Sequence, residues 1–143
     1  MDETKLPIIE ISLVLSSRTM ETTKITDLLQ IDPTTERSID DWPDVIKNNT
    51  NLSEELKPRN EWNWTTKFQK CISVNEALLE LINQFNKSIT KINEISEEFS
   101  IEKLVTVLVH AKSFNMPEIG LEINTIEFLN RIKAPIYFDI YTY

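Results

Sequence analysis

The chain holds one histidine, His110, and one cysteine, Cys71. Nucleophilic catalysis needs a serine or cysteine beside a base. Cys71 precedes a predicted helix start, which would lower a thiol pKa. No motif links the two residues. The plainer reading makes Cys71 a small packed residue and His110 a strand-end residue with its ring hydrogen-bonded or wet. A zinc site needs several Cys or His ligands, and this pair does not supply them. Asp40, Asp41 and Asp44 are clustered, yet no glycine and no glutamate at calcium-loop spacing accompanies them. Gly120 is the only glycine, so no phosphate-cradling loop exists. Glu97 and Glu98 occupy adjacent helix positions that point apart. No catalytic residue, metal or cofactor is expected, and the chain reads as a non-enzymatic protein.

Aromatic residues and acids remain as candidates for binding. Trp62 and Trp64 share one face of a predicted strand, where tryptophans usually pack into a core. With Tyr141 they are also the candidate lining of a small-molecule pocket, for a sensing or regulatory module. Trp42 lies in an acidic, proline-containing loop. Two readings stand for it: a lid folded over the sheet, or a rim anchor for a partner. Asp40, Asp41, Asp44, Glu54 and Glu55 surround it and form the candidate partner-binding surface. Tyr137, Tyr141 and Tyr143 point outward from the last strand. They suit a binding or self-association surface, and they equally suit a site beneath the middle helices.

Charge narrows the partner. With 15 basic and 23 acidic residues the net charge is −8. That repels phosphate backbones, and Lys57, Arg59, Lys67 and Lys70 are interleaved with acids, so no nucleic-acid partner is expected. The acidic excess serves solubility, and it would also steer a basic protein toward the chain. No apolar run approaches the ~20 residues of a membrane span. A single cysteine precludes an internal disulfide and fits the cytoplasm.

The elements that must position these residues follow from periodicity. At 143 residues, with 41% hydrophobic and 27% charged, one soluble domain over 1–143 is the expectation. Pro7 to Leu15 alternates as a strand, with Ile9, Ile11, Leu13 and Leu15 on one face. A helix from Thr22 or Thr23 to Gln30 turns Ile25, Leu28 and Leu29 inward and stops before Pro33. Periodicity fails from Thr34 to Asn60, a long polar loop with helical turns near Val45 and from Ser53 to Leu56. Glu61 to Thr66 is a strand. Ser73 and Glu76 have capping-box spacing before a helix whose stripe is Ala77, Leu78, Leu81, Ile82 and Phe85. After a break near Asn86 and Lys87 comes a second helix with Ile89, Ile92, Ile95 and Phe99. Leu104 to Val109 is almost wholly apolar and reads as a central strand covered on both faces. Asn124 caps a helix with Ile126, Leu129 and Ile132 inward, and Ile136 to Thr142 closes the chain as a strand.

Without the middle helices this is two strand–helix–strand units. The expected fold is α+β: a ferredoxin-like, four-stranded antiparallel sheet, its first and third strands inner. A helix pair is inserted between the second and third strands and packs on the edge or far face.

Several of these segments carry a resemblance. They are the apolar first strand, the helix end Leu29-Gln30-Ile31-Asp32-Pro33-Thr34, the Trp62-Asn63-Trp64 strand, the paired helices, and the closing Tyr137-Phe138-Asp139-Ile140-Tyr141. From about Ile8 to Tyr141 the chain resembles the bacterial family of domain of unknown function 4279. The resemblance implies a small intracellular bacterial protein with no established enzyme activity and no catalytic residues to carry over. It further implies, for some members, an immunity role beside toxin genes. The expected function is therefore an acidic cytoplasmic binding domain that occludes a basic protein toxin.

Overall fold

The computed structural model describes residues 6–66, 69, 70 and 72–143. Strand β1 (Ile8–Ser17) is followed by helix α1 (Thr22–Leu29) and the short strand β2 (Thr35–Arg37). Two 3-10 turns, Ile39–Asp41 and Glu54–Leu56, flank the one-turn helix α2 (Asp44–Lys47). Then come β3 (Asn60–Thr65), β4 (Gln69–Lys70), α3 (Val74–Phe85), α4 (Ile89–Phe99), β5 (Glu102–Ala111), α5 (Ile123–Ile132) and β6 (Ile136–Thr142). The sheet order is β2-β3-β1-β5-β6, with β4 also paired to β1.

This corrects the ferredoxin-like expectation. The sheet is mixed: β5 and β6 run parallel, Val105 opposite Ile136, while β1 is antiparallel to both β3 and β5. The first and third predicted strands, β1 and β5, are indeed inner neighbours. The outer strands are exchanged relative to the ferredoxin order, and β2 is an edge strand that periodicity did not announce. Two physical facts account for the arrangement. Pairing β3 with β1 sets Trp62 beside Leu15 and Trp64 beside Leu13, so the tryptophans join the helix-covered face. The long connection through α5 permits a parallel neighbour for β5.

Helices α1, α3, α4 and α5 cover one face. The odd residues of β1 and β5, from Ile9 to Leu15 and Val105 to Val109, are buried there against α1, α3, α4 and α5. The inserted helix pair thus joins the other helices instead of covering the far face. The second sheet face carries Glu10, Ser12, Val14, Leu104, Thr106 and Leu108, and Leu104 and Leu108 are only half-buried. The expectation that β5 is covered on both faces fails for this reason: among the described residues only Trp42, Glu55, Lys57 and Arg59 of the long connection approach its second face, where they share a concavity with Val14, Leu104 and Tyr137.

Local rules explain the joins. Ser73 accepts a hydrogen bond from the Glu76 N–H at 3.4 Å and starts α3. Helix α5 begins one residue before Asn124, with Glu122 at its cap. Ile126 is exposed, and Phe128 takes its expected inward place beside Leu129 and Ile132. Helices α1, α4 and α5 end on left-handed residues, Gln30 at φ 57°, Ser100 at 53° and Lys133 at 56°. Between β3 and β4 the pairing with β1 shifts by one residue, since Ser12 faces Thr65 and Ile9 faces Gln69. A bulge of this kind strands a backbone group. Thr66 meets it, accepting from the Ile11 N–H through Oγ1 at 3.1 Å and donating its own N–H to Ile11 O at 2.9 Å.

Candidate functional site

The predicted polar loop folds as an ordered excursion between β2 and β3. Asn60 fixes both its ends to the body: its Oδ1 accepts from the Ile39 N–H at 2.9 Å, and its Nδ2 donates to Met20 O at 3.1 Å. Trp42 closes the middle. Its Nε1 donates to the Arg59 carbonyl at 3.0 Å, and the Arg37 guanidinium lies 3.8 Å from the ring centroid. Trp42 is half-buried. Of its two predicted roles, the contacts match the fold-back one: the ring ties the excursion to the sheet edge.

The acids divide into two groups. Asp41 accepts from the Ser38 N–H at 2.8 Å and holds the first 3-10 turn. Asp44 pairs with Lys47 at 3.2 Å. Glu54 pairs with Lys57 at 2.6 Å and with Arg18. The Lys57 and Arg18 hydrogen bonds lower the Glu54 carboxyl to about 2. These three hold the turns of the excursion together while remaining exposed. Asp40 and Glu55 are exposed, and no contact to their carboxylates is drawn among the described residues.

Two residues that the sequence reading placed only as turns are conspicuous at the surface. Val45, in α2, is 83% exposed, and Leu56, in the second 3-10 turn, is 61% exposed. Elsewhere in the excursion Ile39, Ile46, Lys47 and Lys57 line, with Arg18, a concavity of about 390 Å³. Arg18, Lys47 and Lys57 are themselves only partly exposed, at 34%, 27% and 39% of their side chains. The sequence signal was slight: one apolar residue beside an acid in each of two turns too short to show a helical stripe.

The alternative pocket does not form. Trp62 is fully buried, its Nε1 donating to Thr26 Oγ1 at 3.0 Å, and both Trp62 and Trp64 meet the Phe85 ring edge-on. Tyr141 stands on the uncovered face, stacked on His110 with ring centroids 5.1 Å apart. Strands β1 and β5 separate it from β3. Cys71 lies outside the described residues, so its relation to His110 is not described. A second cleft of about 390 Å³ holds Arg18, Arg59, Glu54 and Glu102. Both guanidiniums there contact a glutamate of the same chain, Arg18 with Glu54 and Arg59 with Glu102. Among the described residues no three His, Cys, Asp or Glu side chains gather as a metal site, and no helix is long and apolar enough to cross a membrane.

A family model described as domain of unknown function (DUF4279) matches residues 6–143. The chain belongs to this family. The DUF4279 match spans the excursion as well as the sheet, so the excursion lies within the family's domain. No curated protein and no solved structure matches the chain.

Proposed function

We propose that this DUF4279 chain is a non-enzymatic domain that binds another protein through the excursion of residues 38–59. The observation that carries the reading is the exposure of Val45 and Leu56 on an excursion tied to the body through Trp42, Asn60 and Glu54. Residues without a packing role of their own, fixed in place by Trp42, Asn60 and the Glu54 ion pairs, suit recognition at low ordering cost. Asp40, Asp44 and Glu55 add exposed carboxylates to the same excursion. With the net charge of −8, these carboxylates would steer a basic partner. Occlusion of a basic toxin by a cytoplasmic immunity protein is the specific form that the family resemblance suggests. The acidity supports the basic partner, and the apolar points supply the contact.

Affinity capture from the native cell tests this. The wild-type chain should retain a basic protein, and a Val45→Asp, Leu56→Asp variant should lose it while keeping its circular dichroism. Recovery of no stable partner, or equal recovery by the variant, would count against the reading. Reversing Asp40, Asp41 and Asp44 to lysine should slow association with that partner. An unchanged on-rate would remove charge from the account.

A further inference from the structure

Among the described residues no strand pairs with the outer margin of β6, and only its start, at Pro135 and Tyr137, borders the excursion. In a parallel ladder, alternate residues direct their backbone groups to the same neighbour. Pro135 O accepts from the Val105 N–H at 2.9 Å, and the Tyr143 N–H donates to Ala111 O at 3.3 Å. The odd residues of β6 therefore face β5. The N–H and C=O groups of Ile136, Phe138, Ile140 and Thr142 point outward along the edge. The side chains add apolar surface on both sides. Phe138 and Ile140 lie toward the helix layer, Tyr137 and Tyr141 on the uncovered face, and Tyr143 just beyond. All five are between 39% and 67% exposed.

We propose that two copies of this chain join through β6, antiparallel about a two-fold axis at Ile140, to make one continuous sheet. An antiparallel hydrogen-bonded pair needs outward-facing residues opposite one another, which restricts the axis to Phe138, Asp139 or Ile140. An axis at Asp139 would set two carboxylates face to face, a destabilising pair. One at Phe138 would leave Thr142 and Tyr143 without strand partners. The axis at Ile140 sets Ile140 against itself and Phe138 against Thr142 of the second copy. It also sets Tyr137 against Tyr143 and Asp139 against Tyr141. The last pair is chemically matched, since the Tyr141 hydroxyl already donates to Asp139 within the strand at 3.0 Å. Area admits a weak association. Five large side chains of roughly 200 Å², about half exposed, offer at most on the order of 500 Å² per copy and about 1,000 Å² for the pair, the lower bound of a specific interface.

Sedimentation equilibrium on the full chain tests the proposal. From low micromolar to sub-millimolar concentration the mass should rise from 16.7 kDa toward twice that value. Ile140→Pro removes one outward N–H without touching the bonds to β5, a position where an edge strand tolerates proline. It should weaken association by about tenfold or more, as should Ile140→Lys, with circular dichroism unchanged. Ile126→Lys, on the exposed side of α5, should leave the dimer intact. In a Cys71→Ser background, Ile140→Cys should oxidise to a covalent dimer, because hydrogen-bonded pairs sit at about the 5.5 Å Cα separation that a disulfide spans. A monomer at every concentration, a dimer indifferent to both Ile140 substitutions, or failure of the Ile140→Cys cross-link would overturn the proposal.

Discussion

At one margin of the sheet β2 is three residues long and carries Glu36 and Arg37. Its Arg37 is covered by the Trp42 ring, and Glu36 accepts from the Thr22 hydroxyl at 2.8 Å. At the other margin β6 is seven residues long and contains a single charge, Asp139. Short length and charge are the usual means of keeping an edge from pairing with another chain. The first margin uses both, and adds the folded excursion. The second uses neither to any extent, and its aromatic residues stay in solvent. The difference teaches that a protein can close one edge of a sheet with its own chain and leave the other open.

The comparison breaks most severely at the tryptophan that anchors the closed margin. Trp62→Ala should cost about 3–5 kcal/mol in denaturant unfolding, because it empties a fully buried site under α1 and α3. A loss below about 1 kcal/mol would mean that this margin is not fastened to the core. Next in size is the strap. Arg37→Ala removes a cation–π contact worth about 0.5–1 kcal/mol, and should raise the rate of proteolysis within residues 38–59 more than it lowers global stability. By contrast, Tyr137→Ser on the open margin should change the monomer's unfolding free energy by no more than about 0.5 kcal/mol. A larger loss there would make β6 part of the core.

The smallest expected effect is that of acid. The Glu54 pKa is lowered in the folded state to about 2. Its contribution is therefore present above the unfolded pKa of about 4.3 and is lost as pH falls toward 2. Hydrogen exchange of the excursion should quicken across that interval with little change in β6. Because Glu54 is exposed, the effect on global stability should be slight.

Much of the fold was legible in the chain, for reasons that differ by element. The inward stripes of α3 and α4 and the break between them follow from 3.6-residue periodicity, and Ile9 to Leu15 from alternation. Strand order was not legible, because alternation shows which face a strand buries but not which neighbour it takes. The Trp62 and Trp64 side chains settle that choice through Phe85, about twenty residues downstream. Strand β2 escaped notice since Thr-Glu-Arg has no apolar pattern and owes its conformation to pairing with β3. At the candidate site the cluster of acids was visible, but the division of labour among them was not. Lys47, Lys57 and Arg18 had to be seen in space before Asp44 and Glu54 could be read as struts. Ile126 was misjudged because the helix wheel leaves it at the border of the apolar stripe.

Gln30, Ser100 and Lys133 each terminate a helix in a backbone conformation that side-chain-bearing residues resist, at roughly 1 kcal/mol apiece. The only glycine, Gly120, is spent elsewhere, at a place where a Cβ would meet nothing within 4 Å. Exchanging any of the three for glycine would relieve that resistance, partly offset by the greater freedom of the unfolded chain. The domain thus carries unused thermal headroom in three punctuation marks at its helix ends.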